Sequence, residues 1–118
     1  MDQAPYELDE VRRDVVLTAI RQVCAYKKWS LLAIHVRSTH VHVVLVAAGD
    51  PEPVMNAFKS YASRRLNETG VDIPGRKRWA RHGSTCWLWN RENVHDAIHY
   101  VVHEQGAPMA LYEAPEIE

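Results

Sequence analysis

From Glu7 to about Lys27, the apolar residues Val11, Val15, Ile20, Val23 and Cys24 recur at helical spacing between charges, which predicts a first amphipathic helix. The period then changes. Ser30 to Val36 reads as a strand, with Leu32, Ile34 and Val36 pointing one way and Leu31, Ala33 and His35 the other. Arg37-Ser38-Thr39 is a short connection, and His40 to Ala47 is a second strand, the hairpin partner of the first. Gly49-Asp50-Pro51-Glu52-Pro53 breaks it. A second helix is predicted from about Glu52 to Asn67, buried along Met55, Phe58, Ala62 and Leu66. Gly70 to Gly83 is a polar, basic loop, and Thr85-Cys86-Trp87-Leu88-Trp89 a third strand. Asn90 has N-cap chemistry for a third helix from Arg91 to Gln105, which stops at Gly106. The tail, Ala107 to Glu118, contains Pro108 and Pro115 and is expected to be mobile.

The order helix, strand, strand, helix, strand, helix predicts an α+β fold, an antiparallel sheet with helices packed on it. Both faces of His40–Ala47 carry apolar residues, so this strand should be central. A chain of 118 residues makes one domain, spanning 1–118. No apolar run is long enough to span a membrane, and Met1 to Glu10 has no basic-then-apolar pattern of a secretory signal. Cys24 and Cys86 lie far apart with no CxxC partner, which reads as two reduced thiols in a cytoplasmic protein.

A net charge of −1 argues against a strongly basic nucleic-acid binder, but the distribution changes that picture. Lys59, Arg64, Arg65, Arg76, Lys77, Arg78 and Arg81 cluster against Glu68 and Asp72, while both ends are acidic. A basic middle of this kind is compatible either with a solvated surface or with phosphate binding by one face.

The candidate chemistry starts at His40-Val41-His42. Residues two apart on a strand share a face, and two imidazoles side by side on a Val-rich strand suit a divalent metal. On a helical wheel of the third helix, Val94, Ala97, Ile98, Val101 and Gln105 form the core face. Tyr100 and Glu104 share one edge of it, and His95, His99 and His103 form a stripe on the opposite edge. Tyr100 is either an amphipathic residue at the core edge or a nucleophile. Glu104 is either a solvated carboxylate or a third ligand beside His40 and His42. Two imidazoles and a carboxylate leave open positions for a substrate oxygen, which suits Mg²⁺ or Mn²⁺. The histidine stripe reads as surface or as a pH-sensitive contact, with metal binding as the alternative.

His40-Val41-His42, the helical Lys59-Ser60-Tyr61-Ala62-Ser63-Arg64-Arg65-Leu66-Asn67, Trp87-Leu88-Trp89, and Tyr100-Val101-Val102-His103-Glu104-Gln105 occur in this order. The set resembles the single-tyrosine HUH transposases of the insertion sequence 200/605 type, and among them the stand-alone relatives associated with repetitive extragenic palindromes. The resemblance covers roughly Val15 to Gly106. It implies a ferredoxin-like HUH endonuclease fold and a homodimer acting on single-stranded DNA hairpins. It implies that His40, His42 and Glu104 hold Mg²⁺ or Mn²⁺. It also implies that Tyr100 attacks the scissile phosphate and forms a 5′-phosphotyrosine link, with no need of ATP. Lys59, Arg64, Arg65, Arg76, Lys77, Arg78 and Arg81 would meet phosphates, and Trp79, Trp87 and Trp89 offer stacking surfaces for unpaired bases, against core packing as the plainer role.

Two features depart from the family. Its members usually begin with a strand before the first helix, and here only Met1 to Tyr6 precede it. The domain is therefore expected to be truncated, to lack that edge strand, or to borrow one. The position one turn after the tyrosine is often Gln and here is Glu104, with Gln105 beside it. Two other functions stay open: a non-catalytic hairpin-binding module, and a plain metal-binding domain or metal-dependent hydrolase using His40, His42 and the histidine stripe.

Overall fold

The computed structural model describes residues 6–46, 50–79 and 94–115. Its elements are α1 (Glu10–Lys27), β1 (Ser30–Val36), β2 (Val41–Val46), α2 (Pro51–Thr69), α3 (Val94–His103) and β3 (Ala110–Glu113). The strand predicted over Thr85–Trp89 and the cap at Asn90 lie outside the described residues.

The helix ends follow local chemistry. The Asp9 carboxylate accepts from the backbone N–H of Arg12 at 2.9 Å and caps α1. At the other end Lys28 takes the left-handed conformation, φ 61°, and its neighbour Trp29 donates back to Cys24 at 2.9 Å. Pro51 opens α2, where its missing N–H costs nothing, and Gly70 at φ 70° closes it.

The described strands form an antiparallel sheet in the order β2-β1-β3. β1 is the central strand, so the central position expected for β2 is corrected among the described residues. The tail supplies β3, an element absent from the sequence reading: Ala110 to Glu113 pairs with Val36 to Ala33. Arg21 stacks over the Tyr112 ring at 4.1 Å and ties β3 to α1. A four-residue connection joins β1 to β2, closed by Arg37 N–H donating to the His40 carbonyl at 2.8 Å. That closure pairs Val36 with Val41 and His35 with His42.

Both faces of the β1–β2 hairpin are buried. Ile34, Val36, Val41, Val43 and Leu45 pack with α1 and α2 through Val16, Ile20, Val23, Phe58 and Leu66. Ala33 and Val44 pack with Val101 and Val102 of α3 on the other face. The chain is thus layered as α1 and α2, sheet, α3. The register of β1 against β2 shifts between Leu31 and Ala33. Leu32 is the extra residue, and it turns to the α3 side while Leu31 joins the α1/α2 side. The expected grouping of Leu32 with Ile34 and Val36 is therefore reversed by a bulge. Along α1 the buried stripe is Val16, Ala19, Ile20, Val23 and Cys24, with Val11 exposed. In α2 Val54 takes the buried place expected of Met55. Burial pushes the Cys24 thiol up to about 12, so it stays protonated and unreactive.

A second organising contact lies away from the sheet. The buried carboxylate of Asp72, just after α2, accepts from the Tyr6 hydroxyl at 2.6 Å. It also accepts from Arg12 at 3.0 Å and Arg78 at 3.1 Å. Burial alone would raise its pKa, but these donors outweigh it and hold it below the ordinary carboxylate value. Tyr6, Arg12 and Arg78 are thereby fixed around one anion that joins the start of α1 to the end of α2. Asp72→Asn leaves two guanidinium groups facing a neutral amide and is expected to cost about 3 kcal/mol at pH 7 in a urea titration. A lowered folded pKa contributes stability that is complete above the unfolded value, about 3.9. It is lost as pH falls through the folded value, so the gap between wild type and Asp72→Asn should close in the same titration repeated in that acid range.

Candidate functional site

The α3 face of the sheet changes character toward the hairpin turn. Val44 packs against α3, but the next side chains on that face, moving along β2 toward the turn, are His42 and His40. Their rings lie parallel within 5°, with centroids 6.0 Å apart. The Tyr100 ring meets His42 edge-on, at 85° and 6.3 Å. Tyr100 is 48% exposed, so its phenol sits at the rim of α3 beside the imidazole pair, within reach of solvent. The structure brings His40 and His42 together, as their spacing suggested, and sets the Tyr100 ring beside them.

His40 is exposed, and its Nδ1 lies 2.7 Å from the Thr39 hydroxyl oxygen. When Nδ1–H donates to Thr39, the Nε2 lone pair is left for a ligand. His42 is half-buried. Burial, then the neighbouring His40, His35 and Arg37, push its pKa below the ordinary histidine value. The neutral imidazole, the form that binds metals, is therefore favoured there.

Glu104 does not join this pair. The helix ends at His103, and just beyond it the Glu104 carboxylate accepts from His99 Nδ1 at 3.1 Å. The wheel had set these two residues on opposite edges. A side chain past the last turn reaches across the end of α3 instead. Gln105 beside it has a buried amide nitrogen with no hydrogen-bond partner among the described residues. Among the described residues no three His, Cys, Asp or Glu side chains converge as a metal cluster. The two strand imidazoles fit a metal by chemistry and proximity, and a carboxylate ligand would require Glu104 to leave His99. The His99 and His103 rings lie 5.0 Å apart, tilted by 47°, on the outer side of α3.

Two residues at this face were not singled out from sequence. His35 is fully buried. Its Nδ1 lies 3.0 Å from the Val101 carbonyl, and its Nε2 accepts from the Met109 N–H at 2.9 Å. Arg37 donates to the Ala107 carbonyl at 2.9 Å and approaches His35 Nε2. Burial, and Arg37 with it, lower the His35 pKa against the opposing effect of the Val101 bond. The available signal was the hairpin itself: once Val36 pairs with Val41, His35 must stand opposite His42.

The basic residues are spread out. Lys59, Arg64 and Arg65 belong to α2, in the layer across the sheet from α3. Arg64 and Arg65 are exposed, with Arg65 paired to Glu68. Arg76 stacks on Tyr6 at 5.0 Å, and Lys77 is exposed. Arg78, expected to meet phosphate, is instead buried against Asp72 and bonded to Asn67. Trp79, expected as a stacking surface, packs on the α1/α2 core and donates its indole N–H to Ser63 at 2.8 Å. Both serve the fold because Asp72 and Ser63 take up their polar groups. Arg81, Trp87 and Trp89 lie outside the described residues.

The family model for IS200-like transposases matches residues 7–103, a span that contains α1, the histidine strand and the tyrosine helix. The chain belongs to the IS200-like transposase family. Its role is accordingly that of a transposase acting on DNA. No curated protein and no solved structure matches it. Within this transposase, no helix among the described residues is long and apolar enough to cross a membrane.

The environment of His42 yields a direct test. In an NMR titration of the folded transposase, the His42 imidazole should protonate below about 6.5, the unperturbed histidine value. A midpoint at or above that value would contradict the burial described here.

Proposed function

We propose that this transposase cuts and rejoins single-stranded DNA beside hairpins, with Tyr100 as the nucleophile. The observation that carries this reading is the edge-on approach of the Tyr100 ring to His42, beside His40. Family membership supports DNA as the substrate.

A free phenol has a pKa of about 10 and attacks poorly at neutral pH unless a neighbour takes its proton or its charge. The imidazole pair at its side would give Tyr100 such help. In the proposed step the Tyr100 oxygen bonds to the scissile phosphorus while the bond to the 3′ oxygen of the preceding nucleotide breaks. The tyrosine loses its proton, and the departing 3′ oxygen leaves as a hydroxyl. One phosphate ester replaces another, so no ATP is required. Attack by a 3′ hydroxyl on the phosphotyrosine reverses the chemistry and joins strands.

His40 and His42 would hold Mg²⁺ or Mn²⁺, and Glu104 would join them on leaving His99. When bound, such an ion supplies a Lewis acid for the phosphate oxygens. Lys59, Arg64, Arg65, Arg76 and Lys77 are proposed to meet phosphates of the flanking hairpin, which would give steeply salt-dependent binding. A homodimer is implied by the resemblance, but it is not needed to bring Tyr100 to His42, since one chain carries both.

A second reading, a hairpin-binding module without catalysis, is favoured by the engagement of Glu104 with His99. The two readings separate in one assay. The protein is mixed with labelled single strands copied from hairpins flanking its own gene, with Mn²⁺ or Mg²⁺, and run on a denaturing gel. The proposal expects a protein–DNA adduct that disappears in Tyr100→Phe and in His40→Ala, with hairpin binding retained in Tyr100→Phe. An equal adduct in Tyr100→Phe refutes the nucleophile assignment. Binding without adduct in the wild type supports the second reading.

A further inference from the structure

We propose that His35 is a positioning residue for the tyrosine helix. Its fully buried ring docks the backbone just past Tyr100 onto the strand that faces His42. The inference rests on the reading of Tyr100 as nucleophile.

Three observations converge on this ring. His35 stands directly opposite His42 in the β1–β2 register, so it shares the α3 face with the imidazole pair. One nitrogen, Nδ1, lies 3.0 Å from the carbonyl of Val101, the residue after Tyr100. The other, Nε2, lies 2.9 Å from the N–H of Met109 at the entry to β3. A carbonyl can only accept and an amide N–H can only donate, so the partners fix the tautomer: Nδ1 carries the proton and Nε2 is the acceptor. Both ring nitrogens are thereby used, and the ring cannot turn over without losing both bonds.

The purchase on α3 matters because it adds a directional bond to the apolar contacts of Ala97, Ile98, Val101 and Val102 with Ala33 and Val44. Val101 and Val102 are its buried residues, and apolar contacts of this kind permit sliding where a hydrogen bond does not. Tyr100 is half exposed, so its own side chain does not fix the helix. A bond to the adjoining carbonyl sets the height of the phenol above His42. Misplacement of a reacting group by about 1 Å can cost roughly 100-fold in rate, which gives this contact its functional weight. The Met109 bond, by contrast, holds the segment leading to β3.

Side-chain amides separate the two bonds. Asn places its amide near the position of Nδ1 and can still donate to Val101, while Gln reaches the position of Nε2 and can accept from Met109. Met109→Pro removes the second bond alone, at a partly exposed site. Two readouts are made on the full chain: hydrogen exchange across α3 without DNA, and the single-turnover rate of adduct formation at saturating hairpin DNA. His35→Gln should speed exchange at the C-terminal end of α3 and lower the adduct rate by roughly 10–100-fold, with hairpin affinity unchanged. His35→Asn should rescue most of that rate, and Met109→Pro should keep it. Equal loss in all three variants, or losses that track melting temperature, would make His35 a general core residue and overturn the proposal. So would unchanged exchange and rate in His35→Gln. Should His35→Gln fail to fold, retention of rate in the other two supports the proposal and loss in either overturns it. If the wild type forms no adduct, the nucleophile reading falls, while the exchange comparison still decides whether His35 docks α3.

Discussion

The β1–β2 hairpin is buried on both faces, and the alternation of its side chains decides what each face can become. One face is wholly apolar and sits under α1 and α2, where Ile34, Val36, Val43 and Leu45 are fully enclosed. The other face is apolar only in part. Ala33 and Val44 meet Val101 and Val102, and beyond them the side chains are imidazoles. Among the described residues the first face holds most of the buried apolar side chains, and apolar burial is the main favourable term in folding. The second can therefore carry polar groups at the turn end without loss of the fold. The proposed site, with two histidines and a tyrosine on one surface, uses this division.

The division was legible in some places and hidden in others. Helical and strand periods located α1, α2, β1 and β2 closely, since these segments have strong apolar patterns. The bulge at Leu32 was not legible, because an extra residue changes which side chains share a face without altering the local composition. β3 was hidden for a related reason. Ala110 to Glu113 is short, lies between prolines, and becomes a strand by pairing with β1, which no local propensity encodes.

The site shows the same split. The shared face of His40 and His42 and the edge position of Tyr100 were legible because each lies on a regular element whose period fixes its direction, whereas their grouping was implied only by the family resemblance. Glu104 was not legible, since it falls beyond the last turn of α3, where the wheel no longer applies and His99 captures it. Charge alone could not sort the arginines. Arg65 and Arg78 look alike in the chain, yet one is solvated beside Glu68 and the other is buried on Asp72. That distinction depends on the anion at Asp72, whose attraction for Tyr6, Arg12 and Arg78 is a tertiary property.

The proposed chemistry converges on one phenol beside His42. It is tested most directly by digesting the protein–DNA adduct and locating the attached nucleotide by mass spectrometry. The account predicts a 5′-linked nucleotide on the peptide carrying Tyr100. Attachment at Tyr61, Tyr112 or any other residue would contradict it.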